Sequence, residues 1–222
     1  YVETGLNELR MSNYRRILSL DSAMVVVQFD KDGVQYQRKY FISYPDSVMV
    51  MKFTANQSGK QNLILSYCPN SEAKSNLRAD GKDGLVYTGV LDNNGMKFAF
   101  RIKAIHKGGT LEAENDRLIV KGADEVVFLL TADTDYKMNF NPDFKDPKTY
   151  VGNDPEQTTR IMMDQAVQKG YDELYRNHEA DHTALFNRVR LQLNPDISSP
   201  NLPTYQRLAN YKKGTPDYQL EQ

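Results

Sequence analysis

Five consecutive residues, His178-Glu179-Ala180-Asp181-His182, spell H-E-x-x-H within "ELYRNHEADHTALFNRV". On a helix this spacing sets two imidazoles on one face, where they can bind zinc while the Glu acts as general base. A catalytic zinc usually takes three protein ligands and keeps one position for water. Extended zinc patterns continue to a Gly and a third His, but Leu185 and Phe186 follow here and no His lies beyond His182. A downstream Glu is offered only by Glu221, beside the last residue. The remaining histidine, His106, falls in phase with Met96, Phe98, Phe100, Ile102 and Ala104 and reads as the solvated end of a core face. A zinc hydrolase built on His178, Glu179 and His182 is therefore one ligand short. The competing reading is an amphipathic helix whose His and Asp side chains satisfy nearby backbone groups.

Other candidates carry less. Asp133 and Asp135 in "LLTADTDYKMNF" end a strand pattern, but the spacing lacks the other ligands and the Gly of an EF-hand loop. Turn-forming Asp at a strand end accounts for them. Carboxylates are plentiful, yet a glycosidase pair is defined by separation in space and cannot be picked from spacing. There is no phosphate-cradling Gly loop and no G-x-S-x-G elbow. Asn56-Gln57-Ser58 matches a glycosylation acceptor. The sequence thus nominates no catalytic residue, no cofactor-binding residue and no metal ligand set in this chain, and no cofactor.

The elements that would position these residues fall into two zones. From about residue 14 to 136 the pattern is β. "GMKFAFRIKAIHKGG" alternates with period two, Lys97, Arg101, Lys103 and Lys107 mostly on the watered face. "GVQYQRKYFISY" alternates through Val34, Tyr36, Tyr40 and Ile42, with the long Arg38 stem among them. "AMVVVQF", "SVMVMKF" and "EVVFLLTA" are apolar on both faces, as central strands covered on both sides would be. Turns are marked at Asp32-Gly33, Pro45-Asp46, Asn94-Gly95, Gly108-Gly109 and Asn115-Asp116. Short strands at this spacing without intervening helices predict antiparallel sheets packed as a sandwich.

After Tyr136 comes a polar connection, "KMNFNPDFKDPKTYVGNDP". Asp154-Pro155-Glu156-Gln157 then reads as a helix start, with Asp as N-cap and Pro at the first helical position. That helix is expected to reach about Gly170 with Ile161, Met162, Ala166 and Val167 inward. A second begins near Tyr171, with Leu174, Tyr175, His178, His182, Leu185, Phe186 and Val189 on one stripe. "LQLNPDISSPNLPT" reads as extended then loop, and "YQRLANYKKG" as a short last helix. The predicted class is α+β by segregation: an antiparallel β-sandwich followed by a short helical segment.

Bulk properties set outer limits. The 222 residues carry 28 Lys plus Arg against 29 Asp plus Glu, and no long basic run favours nucleic acid or an anionic membrane as partner. No apolar run nears the roughly 20 residues of a membrane span. The single Cys, Cys68, excludes an internal disulfide and a Cys-based zinc site. Tyr1 is no initiator Met and the opening shows no domain start, so the chain reads as a piece of a longer polypeptide.

The ordered motifs resemble a known family. "YRRILSLDSAMVVVQFDKDGVQYQRKYFISYPDSVMVMKFTA" matches a Tyr-Arg-Arg-x-Leu-x-Leu-x-x-Ala stretch leading to Gly-Val-x-Tyr-x-Arg-x-x-Phe-x-Ser-x-Pro-Asp. The matching positions run from Tyr14, Arg15, Arg16, Leu18, Leu20 and Ala23 to Arg38, Phe41, Ser43, Pro45 and Asp46. The Ala-x-Thr-Asp-Tyr ending at Tyr136 follows, then a helix pattern through His178, Asp181, Leu185, Phe186, Arg188 and Val189. This series is similar to the N-terminal β-domain and linker helix of glycoside hydrolase family 95, the α-L-fucosidase family. The resemblance implies a supersandwich-like β-domain over 1–136 that lacks its first strands, a loop over 137–155, and helical linker over 156–222 leading to an (α/α)6 catalytic barrel. It implies an inverting hydrolase of terminal α-L-fucosides, or of α-L-galactosides, in the periplasm or outside the cell. A catalytic Glu acid and an Asp–Asn pair that activates water would lie in the barrel, with that barrel and the glycan substrate as partners. The rival from another class is a free-standing carbohydrate-binding or adhesion sandwich. The absence of Trp counts against it, although 14 Tyr keep it open.

Overall fold

The computed structural model describes residues 2–3, 11–67, 73–114, 116–146, 148–190, 202–217 and 220. Cys68, Asn115, Glu221 and the 191–201 stretch expected to be extended and looped lie outside them. Among these described residues twelve strands come first: β1 Val2–Glu3, β2 Ser12–Ser19, β3 Met24–Lys31, β4 Val34–Ser43, β5 Val48–Ala55 and β6 Gln61–Ser66. They continue as β7 Ala73–Ala79, β8 Gly84–Leu91, β9 Lys97–Lys107, β10 Thr110–Ala113, β11 Arg117–Ala123 and β12 Glu125–Thr134. Two helices follow, α1 Pro155–Phe186 and α2 Thr204–Lys212.

All strand pairs are antiparallel, in an eight-stranded sheet ordered β2-β3-β4-β5-β12-β9-β8-β7 and a four-stranded sheet ordered β1-β6-β11-β10. The β3–β4 hairpin turns at Asp32 and Gly33, whose φ angles of 51° and 75° suit a tight two-residue loop matched to strand twist. The sandwich and helical class expected from the sequence is the architecture observed.

The central strands are covered twice. On β5, Met51 and Phe53 face the small sheet while Val48 and Val50 face the helix. On β12, Val126 and Phe128 face the small sheet, and Val127 and Leu129 the helix. Their unbroken apolar runs therefore fill two cores. Phe53 and Phe128 meet edge-on at 5.7 Å, and Leu63, Leu65, Leu118 and Val120 close the core from the small sheet.

The second core is completed by α1. Asp154 caps its start, its carboxylate accepting from the Glu156 amide at 3.1 Å. Gly170, at φ 72° and ψ 172°, breaks the helical path inside α1, at the position where the sequence divides two helices. The inward residues of the first half are Pro155, Thr159, Met163 and Ala166. Ile161 is 50% exposed, so the stripe sits elsewhere than Ile161 and Met162 suggest. Thr159 takes a core position because its hydroxyl donates to Pro155 O at 2.8 Å, while its own carbonyl accepts from Thr131 Oγ1 at 3.0 Å. In the second half Leu174 and His178 are buried and Tyr171 and Tyr175 pack beside them, but Leu185, Phe186 and Val189 are exposed.

A second correction concerns Arg101, expected on a watered strand face. It is 4% exposed and paired with Asp80, because that face of β9 is roofed by the first half of α1. Residues 184–222 form a separate compact unit, in which Arg207 grips Asp217 through bonds of 2.8 and 2.6 Å. Among the described residues no helix is long and apolar enough to cross a membrane.

Candidate functional site

His178 and His182 come from the second half of α1 and reach one feature, the turn between β2 and β3. His178 Nε2 lies 3.0 Å from Ser22 O and 3.2 Å from Ala23 O, and His182 Nε2 lies 2.7 Å from Leu20 O. A ring nitrogen facing carbonyl oxygens donates its N–H, so these atoms are committed to the turn. The carbonyls are presented by a strained turn in which Ala23 has φ 45°. The His178 ring is buried and stacks on Phe41 at 4.9 Å, and His182 follows it at 6.4 Å. Glu179, the base of the zinc reading, accepts a hydrogen bond from the Tyr175 hydroxyl at 3.0 Å. Among the described residues no three His, Cys, Asp or Glu side chains converge as a metal site. What the geometry builds from H-E-x-x-H is a latch that holds helix to sheet.

A second latch uses the turn between β4 and β5. Asp46 accepts from Lys169 Nζ at 2.6 Å, Ser43 Oγ at 2.5 Å and Asn177 Nδ2 at 3.1 Å. Burial works to raise its carboxyl, but the bonds from Lys169, Ser43 and Asn177 and the Lys169 charge outweigh it and hold the group below the ordinary carboxylate value. Lys169 and Asn177 flank the Gly170 break, so one carboxylate ties both halves of α1. Nearby, Lys52 Nζ lies 4.2 Å over the Tyr171 ring and 2.8 Å from Glu125. Burial, then the neighbouring Tyr175, Asp172 and Glu125, push the Tyr171 hydroxyl up to about 12.

The other nominated residues have structural work. Asp135 is buried, and its carboxylate accepts from the Lys97 amide at 2.9 Å, closing the end of β9 against β12. His106 is half-buried and its Nδ1 lies 2.7 Å from Gly108 O. Asn56 is exposed, with its side-chain oxygen accepting from the Gln35 amide at 2.9 Å. Leu20, Ala23, Ser43 and Asp46, which the sequence marks as positions of the family resemblance, are among those the structure gathers at the helix–sheet seam. Sequence order separates them from α1 by more than a hundred positions; Asp46 and Lys169 are 123 apart.

An antiparallel sandwich with a long helix latched to its larger sheet is the class of fold, and similarity to known proteins gives its family. The chain belongs to the family described as glycosyl hydrolase family 65, N-terminal domain, whose model matches residues 2–139. Residues 170–222 match the glycosyl hydrolase family 95 catalytic domain. The chain is 27% identical over 213 residues to "Probable alpha-fucosidase A" of Aspergillus niger, covering 91% of this chain and 26% of that protein. It is 26% identical over 229 residues to "Alpha-L-fucosidase 2" of Arabidopsis thaliana, covering 90% and 26%. The chain thus spans about a quarter of the length of these curated relatives. Among solved structures, a human-microbiome protein provisionally named a kojibiose phosphorylase superposes with a TM-score of 0.57 at 9% identity. That likeness covers 83% of this chain and 27% of the other, and it concerns the fold alone. The family 95 resemblance of the sequence motifs therefore holds, with one refinement: the family model matching the β-domain carries the family 65 description.

Proposed function

We propose that the chain is the non-catalytic sandwich and linker of an inverting α-L-fucosidase, with α-L-galactosides inside the same substrate class, acting on glycans in the periplasm or outside the cell. In this reading the sandwich is a foundation. Its larger sheet anchors α1 through the two latches, and α1 carries the chain towards the catalytic barrel, its partner. The acid and base of an inverting glycosidase stand roughly 6.5–9.5 Å apart. They would be supplied by that barrel rather than by His178, Glu179 or any other residue of these 222.

The observation that supports this most is that both halves of α1 pack on the sandwich. Its buried face belongs to the sandwich core, yet from residue 170 onward it lies in the stretch matched by the family 95 catalytic domain. The test is turnover of an aryl α-L-fucoside by this chain and by the polypeptide extended to the length of its relatives. The chain alone should release no fucose, and the extended protein should release β-L-fucose as the first anomer. Turnover by the chain at a comparable rate would overturn the assignment of chemistry to the barrel.

A further inference from the structure

The face of the eight-stranded sheet that points away from α1 carries a second apolar cluster beside the core it shares with the small sheet. The small sheet packs on β5, β12, β9 and β8, while β2, β3 and β4 extend past it with a cluster of their own, Val27, Phe29, Val34 and Tyr36. Over these strands lies a cleft of about 790 Å³, within the size range of small-ligand sites.

Strand register decides what lines it. Arg16 pairs with Val27, Val27 with Arg38, and Arg38 with Phe53. The two arginines therefore stand in one cross-strand file, two strands or roughly 10 Å apart. Arg38 is preorganised, its guanidinium 4.9 Å over the Phe29 ring and 5.8 Å from Phe53. A guanidinium held over an aromatic face can keep N–H groups for contact with an anion. Tyr14 and Tyr40 line the same cleft, Tyr14 being 58% exposed. Among the described residues no carboxylate lines it, and neither arginine forms an ion pair. Two aligned cations without an anion repel unless a ligand supplies one. An aromatic wall beside them suits the C–H face of a sugar ring.

We propose that this cleft binds an anionic saccharide unit, a pyranose bearing a carboxylate or a sulfate, with Arg38 and Arg16 on the anion and Tyr14 and Tyr40 against the ring. The site is independent of the hydrolase reading, because it uses no barrel residue and is read by binding rather than turnover.

The experiment titrates the 222-residue chain by calorimetry with a glucuronate-containing disaccharide, a sulfated disaccharide and their neutral parent, with inorganic sulfate as a control. At least one anionic disaccharide should bind saturably and at least about tenfold more tightly than the neutral parent, which is the scale of one charge-assisted hydrogen bond. Carboxylate against sulfate tells which anion the cleft takes. Arg38→Gln should weaken binding at least about tenfold. Arg16→Gln should weaken it too, and because Arg16 is exposed that variant keeps the fold and separates binding from stability. No saturable binding would overturn the proposal. So would equal affinity for the neutral parent, equal affinity for inorganic sulfate, or unchanged affinity in the Arg16 variant.

Discussion

Asp46 carries a charge where burial opposes it, and three donors from three places in the chain keep it there: Ser43 in the same turn, Lys169 before the helix break and Asn177 after it. Its value as an anchor depends on ionisation, which sets the sign of its pH dependence. The folded carboxyl titrates below its ordinary value of 3.8. A group so depressed contributes stability that is present above the unfolded value and is lost as pH falls through the folded one. Asp46→Asn should therefore cost about 1–3 kcal/mol at pH 7, the usual loss for a buried hydrogen-bonded charge. The gap between wild type and variant in urea unfolding should narrow as pH is lowered from about 5 to below the ordinary 3.8. An equal gap at both ends of that range would show that hydrogen bonding, not the ionised carboxylate, holds the seam. His178 contributes differently: stacked on Phe41 and donating to carbonyls, it secures the neighbouring turn through packing and hydrogen bonds to the backbone.

The helix itself is made from two pieces, and Gly170 sets the angle between them. With φ 72° and ψ 172° it occupies backbone space open essentially to glycine alone. A Cβ there would meet no atom within 4 Å, so the cost of Gly170→Ala is backbone strain without a clash. The expected loss is about 1–3 kcal/mol in thermal or urea unfolding. A neutral substitution would mean that α1 can straighten without releasing either latch. This break was legible in the sequence, since glycine between two amphipathic patterns reads as a helix end, and Asp154-Pro155 was equally plain as a start. The phase of the first half was not. Its inward position Thr159 is polar and gives no hydrophobic signal, while the apolar Ile161 faces out. Arg101 misled for a related reason. Period-two alternation shows which residues share a face, but coverage of that face comes from α1, some sixty positions further on. The Arg16–Arg38 file was invisible as well, because strand register, not sequence spacing, aligns them.

At the scale of the molecule, the eight-stranded sheet is a shared wall between two cores, and that makes the helix part of the sandwich. Residues 1–183 behave as one compact unit by contact, and the second core mixes Met24, Phe41, Val48, Val50, Val127 and Leu129 from strands with Met163, Ala166 and Leu174 from α1. Were α1 an appended linker, its loss would leave the strands folded. With a shared core, strands such as β5 and β12 lose half their burial when it leaves, and both cores should fail together. Leu174 tests this, being wholly buried between Gly170 and His178 on the docking face. Leu174→Ala should cost about 2–5 kcal/mol, the range for a leucine truncated in a packed core. Tyrosines lie in strands and in α1 and α2 alike, so the strand band of the amide I infrared spectrum is the reporter of the sheets, while circular dichroism at 222 nm reports on the helices. In wild type and variant alike the two signals should lose their structure at one shared midpoint, displaced together by the substitution. A helical signal that melts first, with the strand transition left in place, would make α1 a separable linker and confine the sandwich's stability to the core between its two sheets.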